Sequence, residues 1–199
     1  MVLQAIIPVV VSLSLSGSYA NVEPPRSLES VSEEYEATEE TSAVSCLYDE
    51  YLTMRFFDVP LSDDLQRHIW NTALDFGIDP LLVYAICEEE SLFRAGAVSK
   101  TEDYGLMQLN FCTFEWLAEH YGITDPLDPY QNIVGGCALL KWTKQFTDGS
   151  LDQLLLYYGC GVGRGRQLWE QGVDRLPFGE KMLSILGEYK RGERDAKPN

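Results

Sequence analysis

Leu65, Ile69, Ala73 and Phe76 recur at three- and four-residue intervals among polar neighbours, the spacing that turns one face of an α-helix toward a core. Ser62, followed by Asp63 and Asp64, supplies an N-terminal cap and negative charge at the positive end of the helix dipole, and Gly77 supplies a stop. Asp79-Pro80 opens a second helix, because a proline at the first helical position has no amide hydrogen to leave unpaired, and the apolar run continues from Leu81 to Phe93. The same reasoning predicts helices at Thr113–Tyr121, Pro129–Phe146, Ser150–Tyr158, Arg164–Gln171 and Phe178–Tyr189. Between Ala95 and Gln108 glycine and serine break the pattern, so a short β-hairpin or irregular loop is expected there. No β-rich segments alternate with the helices, which argues against a doubly wound α/β fold. The expected class is mainly α with at most a short β-hairpin or irregular loop.

The helical pattern begins near Tyr48, and residues 48–199 are expected to form one domain. Residues 1–20 differ from it: Ala5 to Ser16 is uncharged and largely apolar, and Ser18 and Ala20 are small residues placed as a signal peptidase requires. This reads as a signal peptide and implies a secreted, extracytoplasmic or cell-wall location. It is atypical in having no Lys or Arg before Arg26, so a misassigned start or a short membrane tether competes. The run is too short and serine-rich for a transmembrane helix, so no stable membrane insertion is expected after processing. In residues 21–47, Glu23, Glu29, Glu33, Glu34, Glu36, Glu39 and Glu40 face Arg26 alone. Such a segment buries too little apolar surface to offset its ordering entropy and should be a solvated linker.

Charge narrows the partners. Across 199 residues, 31 acidic side chains face 15 basic ones, a net charge of −16 that repels nucleic-acid phosphates; Arg164, Arg166 and Arg175 are the densest basic group. Several kinds of chemistry also lack their residues. His68 and His120, the two histidines, lie far apart without the spacing of a metal site, and no metal or other cofactor is expected. Gly159 to Gly165 is glycine-rich but has neither the strand nor the lysine of a phosphate cradle. Cysteines 46, 87, 112, 137 and 160 form no CxxC pair, and their odd number leaves one thiol over whichever disulfide an exported chain might form. Cys87 and Cys137 lie in apolar helical runs and read as small buried hydrophobes.

One feature is chemically suggestive. Glu88, Glu89 and Glu90 end a helix whose residues Leu81 to Cys87 are apolar on every side, the mark of a buried helix. At least one of these carboxyls is therefore carried to the interior or to a cleft wall, where desolvation raises its pKa and makes it an acid near neutral pH. Periodicity does not choose among the three, and three solvated glutamates at a helix end is the plainer alternative.

Four further strings bear on that choice: Glu90-Ser91-Leu92-Phe93, then Ala97-Val98-Ser99, then Gly105-Leu106-Met107-Gln108-Leu109, and later Asn132-Ile133 with Gly135-Gly136. In order and spacing they resemble the E-S-x-F, A-x-S, G-L-M-Q-L and N-I-x-x-G signatures of the soluble lytic transglycosylase family, over roughly residues 65–170. The resemblance implies a lysozyme-like helical domain that cuts the β-1,4 bond between N-acetylmuramic acid and N-acetylglucosamine in the peptidoglycan glycan strand. It makes Glu90 the catalytic residue, acid first and then base as the muramic acid C6 hydroxyl closes a 1,6-anhydro ring. It also makes Ser99, Gln108, Asn110 and Tyr158 substrate-binding candidates, with Asn132 tying its helix to the cleft floor. Tyr157-Tyr158-Gly159 matches the family's A-Y-N segment with glycine in place of asparagine, and Tyr157 is the alternative if the register differs by one. Two other readings remain: a muramidase-type hydrolase in which Asp103 or Glu102 guides water, and a catalytically silent cell-wall binding or assembly protein. Local wall opening for a secretion or conjugation machine is the cellular role this implies.

Overall fold

A computed structural model describes residues 54–194; the expected signal peptide, the linker and the boundary at residue 48 lie outside the described residues. The chain forms α1 (Asp63–Phe76), α2 (Pro80–Ser91), β1 (Asp103–Tyr104), β2 (Leu109–Asn110), a 3-10 turn (Phe111–Thr113), α3 (Phe114–Tyr121), α4 (Pro129–Lys144), α5 (Leu151–Cys160), α6 (Val162–Glu170) and α7 (Pro177–Arg191). This is the mainly helical architecture that the periodicity predicts, with one small hairpin. Among the described residues no helix is long and apolar enough to cross a membrane.

Ser62 and Asp79, read from the sequence as helix starts, cap their helices, and Asp128 and Ser150 do the same for two more. Ser62 Oγ accepts from Leu65 N at 3.2 Å, Asp79 Oδ1 from Leu81 N at 2.9 Å, Asp128 Oδ1 from Gln131 N at 2.8 Å and Ser150 Oγ from Gln153 N at 3.3 Å. Each satisfies an amide that the first turn leaves without a partner. Helix α2 is the axis of the domain, with every residue from Pro80 to Cys87 buried. It packs on α1 and α7, while α4 joins α1 to α3 and α5, and α5 carries α6 and α7.

Several helix ends shift by one or two residues from the sequence reading, and two of the shifts have a backbone cause. Helix α2 ends at Ser91, not Phe93, because Leu92 and Phe93 both take left-handed backbone angles (φ 52° and 59°). The Leu92 and Phe93 amides then close the helix by donating to the Glu88 and Cys87 carbonyls, and Phe93 folds back into the core. That closure is ordinarily glycine's, and here no glycine announces it. Helix α5 continues through Gly159 to Cys160, so Gly161 (φ 79°) makes the break and α6 starts at Val162.

The hairpin is locked to α4 by small residues. A Cβ on Gly135 would lie 2.8 Å from Leu109 Cδ1, and one on Gly136 would lie 2.1 Å from Met107 Sδ, so both glycines make room for hairpin side chains. Asn132, buried, accepts from Met107 N at 2.8 Å and donates to the Tyr104 and Pro126 carbonyls, each at 2.8 Å. This is the tie between helix and cleft floor that the motif implied. Of the four tryptophans, Trp70 and Trp116 are core residues.

Candidate active site

The last turn of α2 sets Glu88, Glu89 and Glu90 at about 100° intervals, so each meets a different neighbour. Glu88 accepts from the Tyr189 hydroxyl at 3.0 Å and from Arg194 at 2.6 Å. Glu89 pairs with Lys181 at 2.5 Å. Both partners of Glu89 and Glu88 come from α7 and the residues just beyond it, so two of the three charges are neutralised on one side. Glu90 has no cationic partner among the described residues. Burial, then the charges of Asp103 and Glu89, push its carboxyl up to about 8. A glutamate so placed holds its proton at neutral pH and can give it away.

The Asp103 charge that acts on Glu90 belongs to the hairpin. Asp103 on β1 accepts from the Ser99 hydroxyl at 2.7 Å and the Thr101 hydroxyl at 2.5 Å, both on Oδ2, and from Asn110 Nδ2 at 2.7 Å on Oδ1. Ser99 Oγ in turn accepts the Thr101 and Asp103 amides at 3.1 and 3.0 Å. Of the substrate-binding candidates, Ser99 and Asn110 are thus both engaged inside the hairpin; Asn110 also caps the 3-10 turn by accepting from Cys112 N at 3.2 Å. Gln108 donates to the Gly105 and Ala97 carbonyls at 2.8 and 3.3 Å, which leaves its Oε1 open to another donor. Glu102, left-handed at φ 60°, is exposed and takes no part.

The two tyrosines separate. Tyr158 donates from its hydroxyl to the Met107 carbonyl at 3.0 Å, bridging α5 to the hairpin. Burial, then the nearby Glu90, hold its phenol well above the ordinary range, so it acts as a neutral donor. Tyr157 turns the other way: it is 3 % exposed, accepts from Gln153 at 3.0 Å and lies where a Cβ on Gly165 would be 2.3 Å from its ring. Tyr157, the alternative if the register differs by one, is thus turned about 100° from Tyr158 and packs toward Gly165 on α6.

Gly159 also has a physical account. A Cβ there would lie 2.4 Å from Cε1 of Phe178, so the ring of Phe178, at the start of α7, occupies the space that a side chain would need. The last turn of α5 is filled from outside instead of being held by its own amide. Reading the chain alone missed Phe178, Thr101 and the α7 cations. A signal for Thr101 was present, because Ser99, Thr101 and Asp103 alternate and so share one face of an extended segment.

The thiols are not placed for nucleophilic work. Burial pushes Cys87 and Cys137 far up, and it raises Cys112 and Cys160 as well. His68 and His120 are bonded to the Tyr130 and Trp116 carbonyls, at 3.0 and 2.9 Å. The four cysteines among the described residues are free thiols; Cys46 lies outside them.

A mainly helical domain with one small hairpin and one buried, cation-free glutamate has the lysozyme-like plan. The profile of the Transglycosylase SLT domain family matches residues 68–175. The chain belongs to that family. It is 34 % identical over 126 residues to the transglycosylase of Enterobacteria phage PRD1, covering 61 % of this chain and 42 % of that one. To membrane-bound lytic murein transglycosylase F of Pseudomonas fluorescens (strain Pf0-1) it is 37 % identical over 104 residues, 49 % of this chain and 21 % of the relative. The chain thus spans less than half the length of these curated relatives. In fold it is similar to an inactive Glu-to-Gln mutant of the lytic transglycosylase Slt from Pseudomonas aeruginosa, with a TM-score of 0.57 and 22 % identity over 67 % of this chain and 25 % of that one.

Proposed function

We propose that this chain is a peptidoglycan lytic transglycosylase domain with Glu90 as its single catalytic acid and base. The observation that carries the reading is that Glu90, alone of three consecutive glutamates, lacks a cation and is driven toward its protonated form. Glu90 gives its proton to the glycosidic oxygen as the bond from C1 of N-acetylmuramic acid to that oxygen breaks. The C6 hydroxyl of the same sugar then bonds to C1, and the Glu90 carboxylate takes the hydroxyl proton, which restores the acid and leaves a 1,6-anhydro ring. One carboxyl suffices because the sugar supplies the nucleophile; a hydrolase requires an activated water instead.

The other groups serve this step. The Tyr158 hydroxyl ties Glu90's neighbourhood to the hairpin through Met107, and Gln108 Oε1 is the acceptor available to a sugar hydroxyl or amide. Ser99 and Asn110 shape the wall through Asp103 and do not reach outward to sugar. Peptidoglycan lies outside the cytoplasm, so the proposal includes an extracytoplasmic site of action reached through the segment 1–20, and local wall opening for a secretion or conjugation machine. The likeness to membrane-bound lytic murein transglycosylases supports the substrate class.

The test is digestion of purified peptidoglycan by the full chain, with Glu90→Gln as control and mass spectrometry of the released glycan. Anhydro ends, absent from the control, are expected. Reducing ends would establish a muramidase, and no release at all would leave a silent wall-binding protein.

A further inference from the structure

The last turn of α2 is built against its own electrostatics. Three consecutive glutamates sit at the negative end of the helix dipole, and the turn closes on Leu92 and Phe93, two non-glycine residues with left-handed backbone angles. Within the turn, the Leu92 amide donates to the Glu88 carbonyl at 3.0 Å, and the Phe93 amide and the Ser91 hydroxyl donate to the Cys87 carbonyl at 3.1 and 2.9 Å. A turn loaded in this way tends to fray. What opposes fraying comes from α7 and the residues just beyond it. The Glu88 carboxylate is gripped at both oxygens, Oε2 by the Tyr189 hydroxyl at 3.0 Å and Oε1 by Arg194 Nη2 at 2.6 Å. Each partner is itself fixed. Tyr189 is fully buried, its ring centroid 4.8 Å from that of Phe57 and 5.7 Å from that of Tyr84. Arg194 Nε lies 3.1 Å from Glu188 Oε2, and its guanidinium sits 5.8 Å from the centre of the Tyr189 ring. Lys190 meanwhile reaches Asp79, at the opposite end of α2, at 3.1 Å. Tyr189 and Arg194 both lie beyond the family-matched residues 68–175.

We infer that Tyr189 and Arg194 are positioning residues for Glu90, clasping Glu88 so that the last turn of α2 stays wound and the Glu90 carboxyl keeps one place. The inference rests on the reading of Glu90 as the reacting acid. Glu88 suits this use because its side chain is only 18 % exposed, so water does not readily replace a lost donor, and a carboxylate bonded to a guanidinium is among the stronger side-chain attachments. Glu90 follows two residues later in the same turn, so unwinding at Glu88 displaces it, and a misplacement of about 1 Å is enough to slow proton transfer severely. Lys181 contributes less, since it meets one oxygen of Glu89 from a largely solvated position.

Arg194→Gln and Tyr189→Phe test the inference in the full chain. Arg194 is partly exposed and phenylalanine keeps the Tyr189 ring among its aromatic neighbours, so both variants should fold, which thermal unfolding checks. Amide hydrogen exchange followed by NMR should quicken about tenfold at Leu92 and Phe93 and stay unchanged from Val83 to Ile86. On peptidoglycan, kcat should fall on the order of tenfold with KM unchanged, because a displaced acid is felt in the transition state and not in binding. In a Glu88→Gln background, adding Arg194→Gln should leave kcat and exchange where Glu88→Gln put them, since the clasp acts through Glu88. Exchange at Leu92 and Phe93 unmoved in both single variants overturns the inference. So does an active parent chain whose kcat neither variant lowers, the mark of a merely structural contact. Should the parent release no glycan while Leu92 and Phe93 still exchange faster in the variants, the clasp on the turn stands and the reading of Glu90 as the acid falls.

Discussion

Glu89 and Glu90 are adjacent, chemically identical and on one helical turn, yet they live in opposite electrostatic worlds. Glu89 meets Lys181 of α7, while Glu90 has no cationic partner among the described residues and feels the charges of Asp103 and Glu89. Burial first, and then those charges, oppose the ionisation of Glu90. The lesson is that packing decides which glutamate can act as an acid: burial is the larger cause for Glu90, and α7 supplies a cation to Glu89 but none to Glu90.

Removing the acid should break the comparison most visibly. Glu90→Gln is expected to cut turnover on the order of 10²–10⁴-fold with the fold retained, whereas Glu89→Gln should change it less than tenfold; glycan release assays on both variants check this. If Glu89→Gln were the inactive one, the assignment would fail.

Stability offers a second handle on the same pair. In the unfolded chain a glutamate ionises near its ordinary value, but in the folded chain Glu90 keeps its proton until about pH 8. Between those values the folded state binds the extra proton, so Glu90 costs nothing below the ordinary carboxyl range and destabilises increasingly as pH rises toward 8. Glu90→Gln should match the parent chain near pH 4 and exceed it by on the order of 4 kcal/mol at pH 8, read by chemical denaturation at both pH values. An equal difference at the two would show that Glu90 is not perturbed.

The last turn of α5, which presents Tyr158, can be probed through Gly159. Gly159→Asn forces a Cβ into the Phe178 ring and should cost about 2 kcal/mol by overpacking. Combined with Phe178→Ala it should cost less than the two single changes together, because the clash disappears. Additive losses in thermal or chemical unfolding would mean that the two side chains do not share the space.

The smallest effect belongs to the solvent side of the pair. Lys181 is 62 % exposed, so Lys181→Met should cost less than about 1 kcal/mol, declining further in high salt. A larger loss would mean that α7 needs this contact to dock, and the two glutamates would differ in structural weight as well as in charge.

Much of this was legible beforehand, for identifiable reasons. The caps at Ser62, Asp79, Asp128 and Ser150 are local interactions within three residues, so sequence alone locates them. The helix ends at Leu92 and Gly161 were harder. Left-handed closure at Leu92 is enforced by burial of Phe93, a long-range event that residue type does not announce. For the site, the apolar run Leu81–Cys87 indicated that a carboxyl would be buried but could not say which, and the motif resemblance made the choice. Tyr158 over Tyr157 and Ser99 turned inward to Asp103 depended on rotation and on hydrogen bonds that no spacing rule ranks.

By itself the chain determined its helices, its one interrupted stretch and the family motifs, because capping, periodicity and short-range spacing act within a turn or two. Only the tertiary structure decided that Lys181 and Arg194 would meet Glu89 and Glu88, that Phe178 would fill the space beside Gly159, and that Glu90 would be buried without a cation among the described residues. Those contacts join residues from 19 to 106 positions apart, and their energies depend on the burial and the charges that packing alone brings together.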